Sequence, residues 1–184
     1  LGPEVCLVEL TAADAGRIFL VVEANRAHLR EWLPWVDGTR SSQDTRRFLQ
    51  SVEAGRREGR TLAYGIEERG EFIGVAGSHD IETADRRANI GYWLAAKATG
   101  RGLMTRAAGA LAGILFEHLG MERLEIRCCA GNTASARVAE RLGFQFEGTL
   151  RHAQFLHGRF HDQRLYSLLS GEWKGLAEDV ERGL

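Results

Sequence analysis

The stretch Gly91-Tyr92-Trp93-Leu94-Ala95-Ala96-Lys97-Ala98-Thr99-Gly100-Arg101-Gly102-Leu103-Met104-Thr105 decides how the rest of the chain is read. The apolar, aromatic run from Ile90 to Leu94 predicts a buried strand. Gly100 and Gly102, with Arg101 between them, predict a loop whose backbone can approach a ligand closely. A helix is expected to start at Met104 or Thr105, because Met104, Ala108, Leu111 and Leu115 recur at helical spacing. Strand, glycine turn and helix N-terminus together make an anion cradle, since the first helical amides lack intrahelical partners and carry the positive end of the dipole. Such a cradle suits a phosphate or diphosphate, and Arg101 can add charge-assisted hydrogen bonds. The same pattern also fits an ordinary strand-to-helix connection.

Two other phosphate loops are excluded. A P-loop ends in Gly-Lys-Ser/Thr, and Leu103-Met104-Thr105 does not supply it. A dinucleotide fingerprint needs a third glycine, where Thr105 stands, and a place near the start of a domain rather than past mid-chain.

The 184 residues suggest one domain, over 1–175, with a charged tail over 176–184. Hydrophobic content of 44% and charged content of 27% are those of a soluble globular protein. A net charge of -1 argues for neither a nucleic-acid partner nor an acidic membrane surface. No apolar run approaches a membrane span, and Glu4 and Glu9 interrupt the only N-terminal apolar segment, so no signal peptide is expected. Cys6, Cys128 and Cys129 form neither a disulfide framework nor a metal-ligand spacing, which points to the cytoplasm and to no metal.

In chain order, a strand is expected over 4–10. Thr11 and Asp14 then cap a helix over 12–23 with Ile18, Val21 and Val22 inward. A second helix covers 26–32. Trp32-Leu33-Pro34-Trp35 ends it, since Pro34 disfavours helix at Leu33. The two tryptophans plug the edge of the core, wall an acceptor pocket, or do both. Ser41 and Asp44 cap a helix to Arg57 with Phe48, Leu49 and Val52 inward. The arginines at 46, 47, 56, 57 and 60, interleaved with acids, read as a solvated helix face. A hairpin over 62–67 and 72–78 feeds the strand at 88–94. After the long helix, stopped by Gly120, come a strand over 123–129, a short helix opened by Gly131-Asn132-Thr133-Ala134-Ser135, and strands over 144–150 and 163–169.

Taken together, Trp32-Leu33-Pro34-Trp35, Ile90-Gly91-Tyr92-Trp93-Leu94, Gly100-Arg101-Gly102-Leu103-Met104-Thr105, Asn132-Thr133-Ala134-Ser135 and Leu142-Gly143-Phe144 with Glu147-Gly148 resemble the GCN5-related N-acetyltransferases. Within them the chain is similar to the RimJ/RimL group, which acetylates ribosomal-protein N-termini. The resemblance runs from about Val5 to Trp173. It implies a mixed α/β fold: a central, mostly antiparallel sheet split at the Trp93–Leu94 strand, with helices on both faces and acetyl-CoA in the cleft. By the same resemblance, Trp93, Leu94, Thr99, Gly100, Arg101, Gly102, Leu103, Met104, Thr105, Asn132 and Ser135 contact the donor. The pantetheine would satisfy the unpaired main chain as an added strand does.

Direct attack of an amine on a thioester needs a base, donors for the carbonyl and an acid for the thiolate. The resemblance makes Ser135 the candidate acid. The alternative is that Ser135 caps or packs at the helix start, as serine often does. Relatives often carry Glu where this chain has Asn89, and an acid where it has Gln154, and neither amide can act as a base. His79 and His152 are the imidazoles left near the expected site. An α-amino group with a pKa near ~8 can also deprotonate without help. Trp32, Trp35, Gln154 and Asp162 are candidates for contact with the acceptor, which is a protein N-terminus or a small amine. A homodimer is compatible with the family. A non-catalytic acyl-CoA-binding module is the rival of a different class, motivated by the missing acids at 89 and 154.

Overall fold

The computed structural model describes residues 5–175. The expected tail over 176–184 lies outside them. One sheet of seven strands, in the order β1-β2-β3-β4-β5-β7-β6, organises the described residues. The strands are β1 (Val5–Glu9), β2 (Leu62–Glu68), β3 (Glu71–Glu82), β4 (Arg87–Leu94), β5 (Arg123–Cys129), β6 (Gln145–Leu156) and β7 (Arg159–Leu169). Every neighbouring pair is antiparallel except β4 and β5, which run parallel.

The β4–β5 ladder carries the architecture. It pairs Arg87 with Arg123 and continues only to Ile90 with Ile126. Beyond that rung β4 keeps β3 as its partner through Leu94, and β5 keeps β7 through Cys129. The facing edges of Gly91–Leu94 and Arg127–Cys129 therefore part, as the resemblance implies, and their inner main-chain groups are left without a strand partner.

Helices cover both faces. α4 (Leu103–Gly113), prolonged by a π-helical turn over Ile114–His118, and α5 (Thr133–Arg141) pack on one face. Leu103, Ala107, Ala108, Leu111, Ala112 and Leu115 of α4 and its extension form one buried stripe against Ile73, Ile90 and Ile126. α1 (Ala15–Ala24), α2 (Arg26–Arg30) and α3 (Ser42–Arg57) cover the other face. There Ile18, Val22, Leu29, Leu49 and Val52 pack against Ala63, Phe72 and Val75. Strand alternation assigns β4 to both cores: Ala88, Ile90 and Leu94 face α4, and Trp93 packs into the other cluster.

Local chemistry fixes the element ends. Ser41 Oγ accepts the Asp44 amide at 3.3 Å, and Asp44 in turn accepts from Ser41 Oγ at 2.8 Å, so the expected cap forms. Arg47 pairs with Asp44, Arg56 with Glu9 and Arg60 with Glu58, in keeping with a solvated face. Phe48 does not turn inward and is 53% exposed, because Thr45, Leu49 and Val52 occupy the face that meets the sheet. The last two strands are longer than expected and are interrupted by register shifts at Phe146/Gly148 and Leu150/Gln154.

The outer half of the sheet is tied by charge. Arg123 on β5 donates to Glu125 at 2.9 Å and, through two bonds of 2.7 and 2.6 Å, to Glu147 on β6. Ser167 on β7 also donates to Glu147, at 2.6 Å. The Arg123 hydrogen bond, then that from Ser167, holds the Glu147 carboxyl down at about 2. The folded value lies below the ordinary 4.5, so the stabilisation is present above about pH 4.5 and is lost as pH falls toward 2. Glu147→Gln should make the acid-side fall in unfolding free energy shallower over that window, read by urea denaturation at successive pH values.

Backbone proximity matters most at Gly74, opposite Leu94. A Cβ there would lie 2.3 Å from the Trp93 carbonyl oxygen and 3.0 Å from Leu94 Cα. Gly74→Ala should cost about 1–3 kcal/mol in chemical denaturation, because backbone rather than a side chain must yield.

Candidate active site

A cavity of about 350 Å³ begins at the N-terminus of α4 and runs along the parted end of β4. Its floor is apolar: Leu29, Leu33, Trp93, Leu94, Ala98, Met104 and Val138. At its mouth, Gly102 caps α4 in the left-handed region with φ 72°, and no side chain caps the helix. The first intrahelical bond runs from the Arg106 amide to the Gly102 carbonyl, so the amides of residues 103–105 keep no helical partner. Thr105 lines the same cavity, and its buried hydroxyl oxygen has no hydrogen-bond partner. Three free amides, the dipole and an orphaned hydroxyl make this end receptive to an anion with oxygen acceptors. His28, Arg137 and Arg141 stand around the same cleft.

A smaller chamber of about 150 Å³ lies where β4 and β5 part, between Ile90, Gly91 and Tyr92 on one side and Ile126, Arg127 and Cys128 on the other. It shares Trp32, Leu33, Tyr92, Asn132 and Ser135 with the larger cavity, so the two adjoin across these side chains. Asn132, not Ser135, caps α5: its Oδ1 accepts the Ser135 amide at 3.1 Å. The Ser135 hydroxyl is thereby released to face the chamber, where it donates to Tyr92 Oη at 3.2 Å. Tyr92 Oη itself donates to the Ser135 carbonyl at 3.1 Å. Burial pushes the Tyr92 phenol upward, so it stays protonated at neutral pH. Burial also raises the Cys128 thiol, against the pull of its hydrogen bond with Ser135. The chamber thus holds a chain of neutral proton donors, Tyr92, Ser135 and Cys128, suited to passing a proton to a leaving group.

Among the residues singled out from sequence, Trp93, Leu94, Thr99, Gly100, Gly102, Leu103, Met104, Thr105, Asn132 and Ser135 line the larger cavity. The Arg101 guanidinium is engaged elsewhere, in a two-bond pair with Glu68 at 2.8 and 2.5 Å. Trp32 lines both cavities, and Trp35 packs against Trp93 with ring centroids 6.1 Å apart. Gln154 lines the chamber, donating to the Trp32 carbonyl at 3.1 Å and accepting from Gln163 at 3.4 Å. His79 lies outside the chamber, in a polar pocket on the α1–α3 side.

His152 and Asp162 line none of these cavities. His152 sits at the β6 register shift with φ 53°, stacked on Phe160, and its amide donates to Asp162 Oδ1 at 2.8 Å. Asp162 is thereby committed to holding that irregular turn. Tyr92 is the residue that sequence reading took only for an apolar strand position. The signal that could have found it is alternation, which aims Tyr92 to the same face as Ile90 and Leu94, toward the helix bearing Ser135. Tyr92→Phe takes the donor from the Ser135 carbonyl and the acceptor from its hydroxyl, and should cost about 1–3 kcal/mol in urea denaturation.

The acetyltransferase (GNAT) domain family matches residues 4–145. The ribosomal-protein-serine acetyltransferase of Escherichia coli strain K12 is 31% identical over 150 residues, spanning 82% of this chain and 84% of that protein. The solved structure of RimL, a ribosomal L7/L12 alpha-N-protein acetyltransferase in complex with coenzyme A, matches with a TM-score of 0.88 at 28% identity, over 91% of this chain and 95% of its own. RimJ of Mycobacterium smegmatis, in complex with CoA-disulfide, matches with a TM-score of 0.90 at 28% identity, over 97% of this chain and 88% of its own. With a parted sheet, a helix-capped cleft and these matches along most of its length, the chain belongs to the GNAT acetyltransferase family.

Proposed function

We propose that this acetyltransferase takes its acyl group from acetyl-CoA and delivers it to a primary amine, foremost the N-terminal amine of a ribosomal protein. The observation that carries the donor half is that one cavity is lined both by residues 103–105, whose amides have no helical partner, and by Ser135, which it shares with the chamber between the parted strands. The donor fits the residues present. The amides of 103–105 and the Thr105 hydroxyl suit its diphosphate, and the unpaired edge of Gly91–Leu94 suits the amides of its arm. Arg137 and Arg141 add positive charge at the mouth. What supports the acceptor is the activity named for the E. coli relative and for RimL.

In this reading a main-chain amide near Leu94 polarises the thioester carbonyl, the amine attacks, and Ser135 returns a proton to the departing sulfur. Tyr92 fixes the Ser135 hydroxyl. Trp32 and Gln154 wall the acceptor side of the chamber. The reading extends to a single domain over 1–175 and to a cytoplasmic protein, the latter supported by three free cysteines. It also extends to a homodimer, supported by the exposed Phe155 and Phe160 of the last hairpin.

The test is release of the CoA thiol from acetyl-CoA over a panel of serine- and alanine-initiated peptides and small amines. Peptides should give the higher kcat/KM. Preference for a polyamine or amino acid would overturn the acceptor, and CoA binding without turnover on any amine would favour an acyl-CoA-binding module. Ser135→Ala should lower kcat about 100-fold while leaving the acetyl-CoA Kd unchanged. Unchanged turnover removes the acid role from Ser135.

A further inference from the structure

A third pocket, of about 460 Å³, opens on the sheet face covered by α1 and α3, at the paired end of the β4–β5 ladder. His79 and Asn89 face each other there across β3 and β4, and Asn89 is in register with Glu125 on β5. The pocket shares Arg127 with the chamber. Between them stands Gly91, whose missing side chain leaves a gap: a Cβ at that position would come within 3.6 Å of His79 Nε2.

The carboxylates of this pocket are already engaged. Glu82 is held by Arg87 at 2.8–3.0 Å. Glu125 is buried and accepts from Arg123 at 2.9 Å and Arg127 at 2.8 Å. Asp80 lies 2.8 Å from His79 Nδ1 and also accepts from Asn89 Nδ2 at 3.3 Å. The His79 hydrogen bond keeps the Asp80 carboxyl below its ordinary value, so Asp80 is ionised at neutral pH. A carboxylate can only accept, so Nδ1 of the neutral ring carries the proton and Nε2 keeps its lone pair toward Gly91. Asn89 Oδ1 is buried with no hydrogen-bond partner, an acceptor waiting for a donor. Asp80 has φ 51°, an uncommon conformation for a residue other than glycine, and it sits at the register shift between His79 and Glu82 that turns its side chain back onto the imidazole.

We infer that the acceptor amine enters through this pocket, that His79 Nε2 takes its proton, that Asp80 is the positioning residue which fixes the ring, and that Asn89 Oδ1 receives the amine's hydrogen bond. The inference rests on the acetyltransferase reading above. One proton of the ammonium passes to Nε2, directly or through one water, and leaves to solvent. The freed nitrogen forms the C–N bond as the C–S bond breaks. The second proton reaches the thiolate through Ser135. His79 thereby does the work that a carboxylate at position 89 or 154 would otherwise do.

The test compares wild type, His79→Gln and Asp80→Asn. Asparagine tolerates the left-handed backbone as readily as aspartate, so the second variant removes the charge and spares the fold. The charged groups facing His79 are Asp80 and Glu82 from β3, Arg87 from β4, Glu125 and Arg127 from β5, and Arg60 ahead of β2. Only the first is removed. With acetyl-CoA and a peptide acceptor, kcat should fall about 100-fold in His79→Gln and lose its acid-limb inflection. In Asp80→Asn it should fall about tenfold, because no carboxylate then fixes the ring. The KM for acetyl-CoA should stay the same in both. Nitrogen NMR of the ring should find the Nδ1–H tautomer in wild type and a shift toward Nε2–H in Asp80→Asn. A wild-type pH profile in His79→Gln, wild-type kcat in both variants, or an Nε2–H ring in wild type, overturns the inference. Failure of the acetyltransferase reading is distinct, appearing as wild-type protein that releases no thiol from acetyl-CoA, and the tautomer decides the pairing even then.

Discussion

Two parallel strands that stop pairing while each keeps its outer neighbour impose the rest of the structure. β4 is held by β3 through Leu94, and β5 by β7 through Cys129, so neither can bend across to close the gap after Ile90 and Ile126. Buried main-chain groups without partners are costly, and the parted edges are therefore stable only because a cavity gives them access to a hydrogen-bonding guest or water. Everything chemical in the molecule is placed by that opening. α4 starts beyond one lip, α5 sits beside the other, and the side chains that meet between them come from both strands.

The same geometry separates tasks by face. On the α4–α5 side lie the free amides of residues 103–105 and the Thr105 hydroxyl, opening onto an apolar floor, shared by both faces, that suits a long, flexible arm. On the α1–α3 side lies a pocket of opposed charges around His79 and Asn89. The chamber between Tyr92 and Cys128 is small and mostly neutral, and its proton donors are kept neutral by burial. A proton can be removed on one side and supplied on the other without the two groups competing.

Much of this was legible in the residues. Gly100 and Gly102 punctuate the strand and helix because few other residues accept their backbone angles, and the apolar stripe of α4 follows helical period. What escaped the sequence has a common cause. Phe48 was expected inward because its spacing is one step from the stripe of Leu49 and Val52, a difference that periodicity resolves poorly at a helix edge. His152, Asp162 and Asp80 owe their orientation to irregular rungs at non-glycine positions, for which no residue type in those stretches gives a signal. Tyr92 is apolar by composition, and only its hydroxyl's partner on α5, distant in sequence, reveals its role.

The β4–β5 ladder, with four rungs, is the shortest in the sheet. It is also the seam between a block of β1 to β4 and a block of β5 to β7. Mechanically it is a hinge pin: small rotations of one block on the other would change the cleft's aperture while leaving every longer ladder intact. The bond from Gln154 on β6 to the Trp32 carbonyl crosses that seam on the acceptor side. It acts as a latch, coupling the angle of the two blocks to the width of the chamber between them.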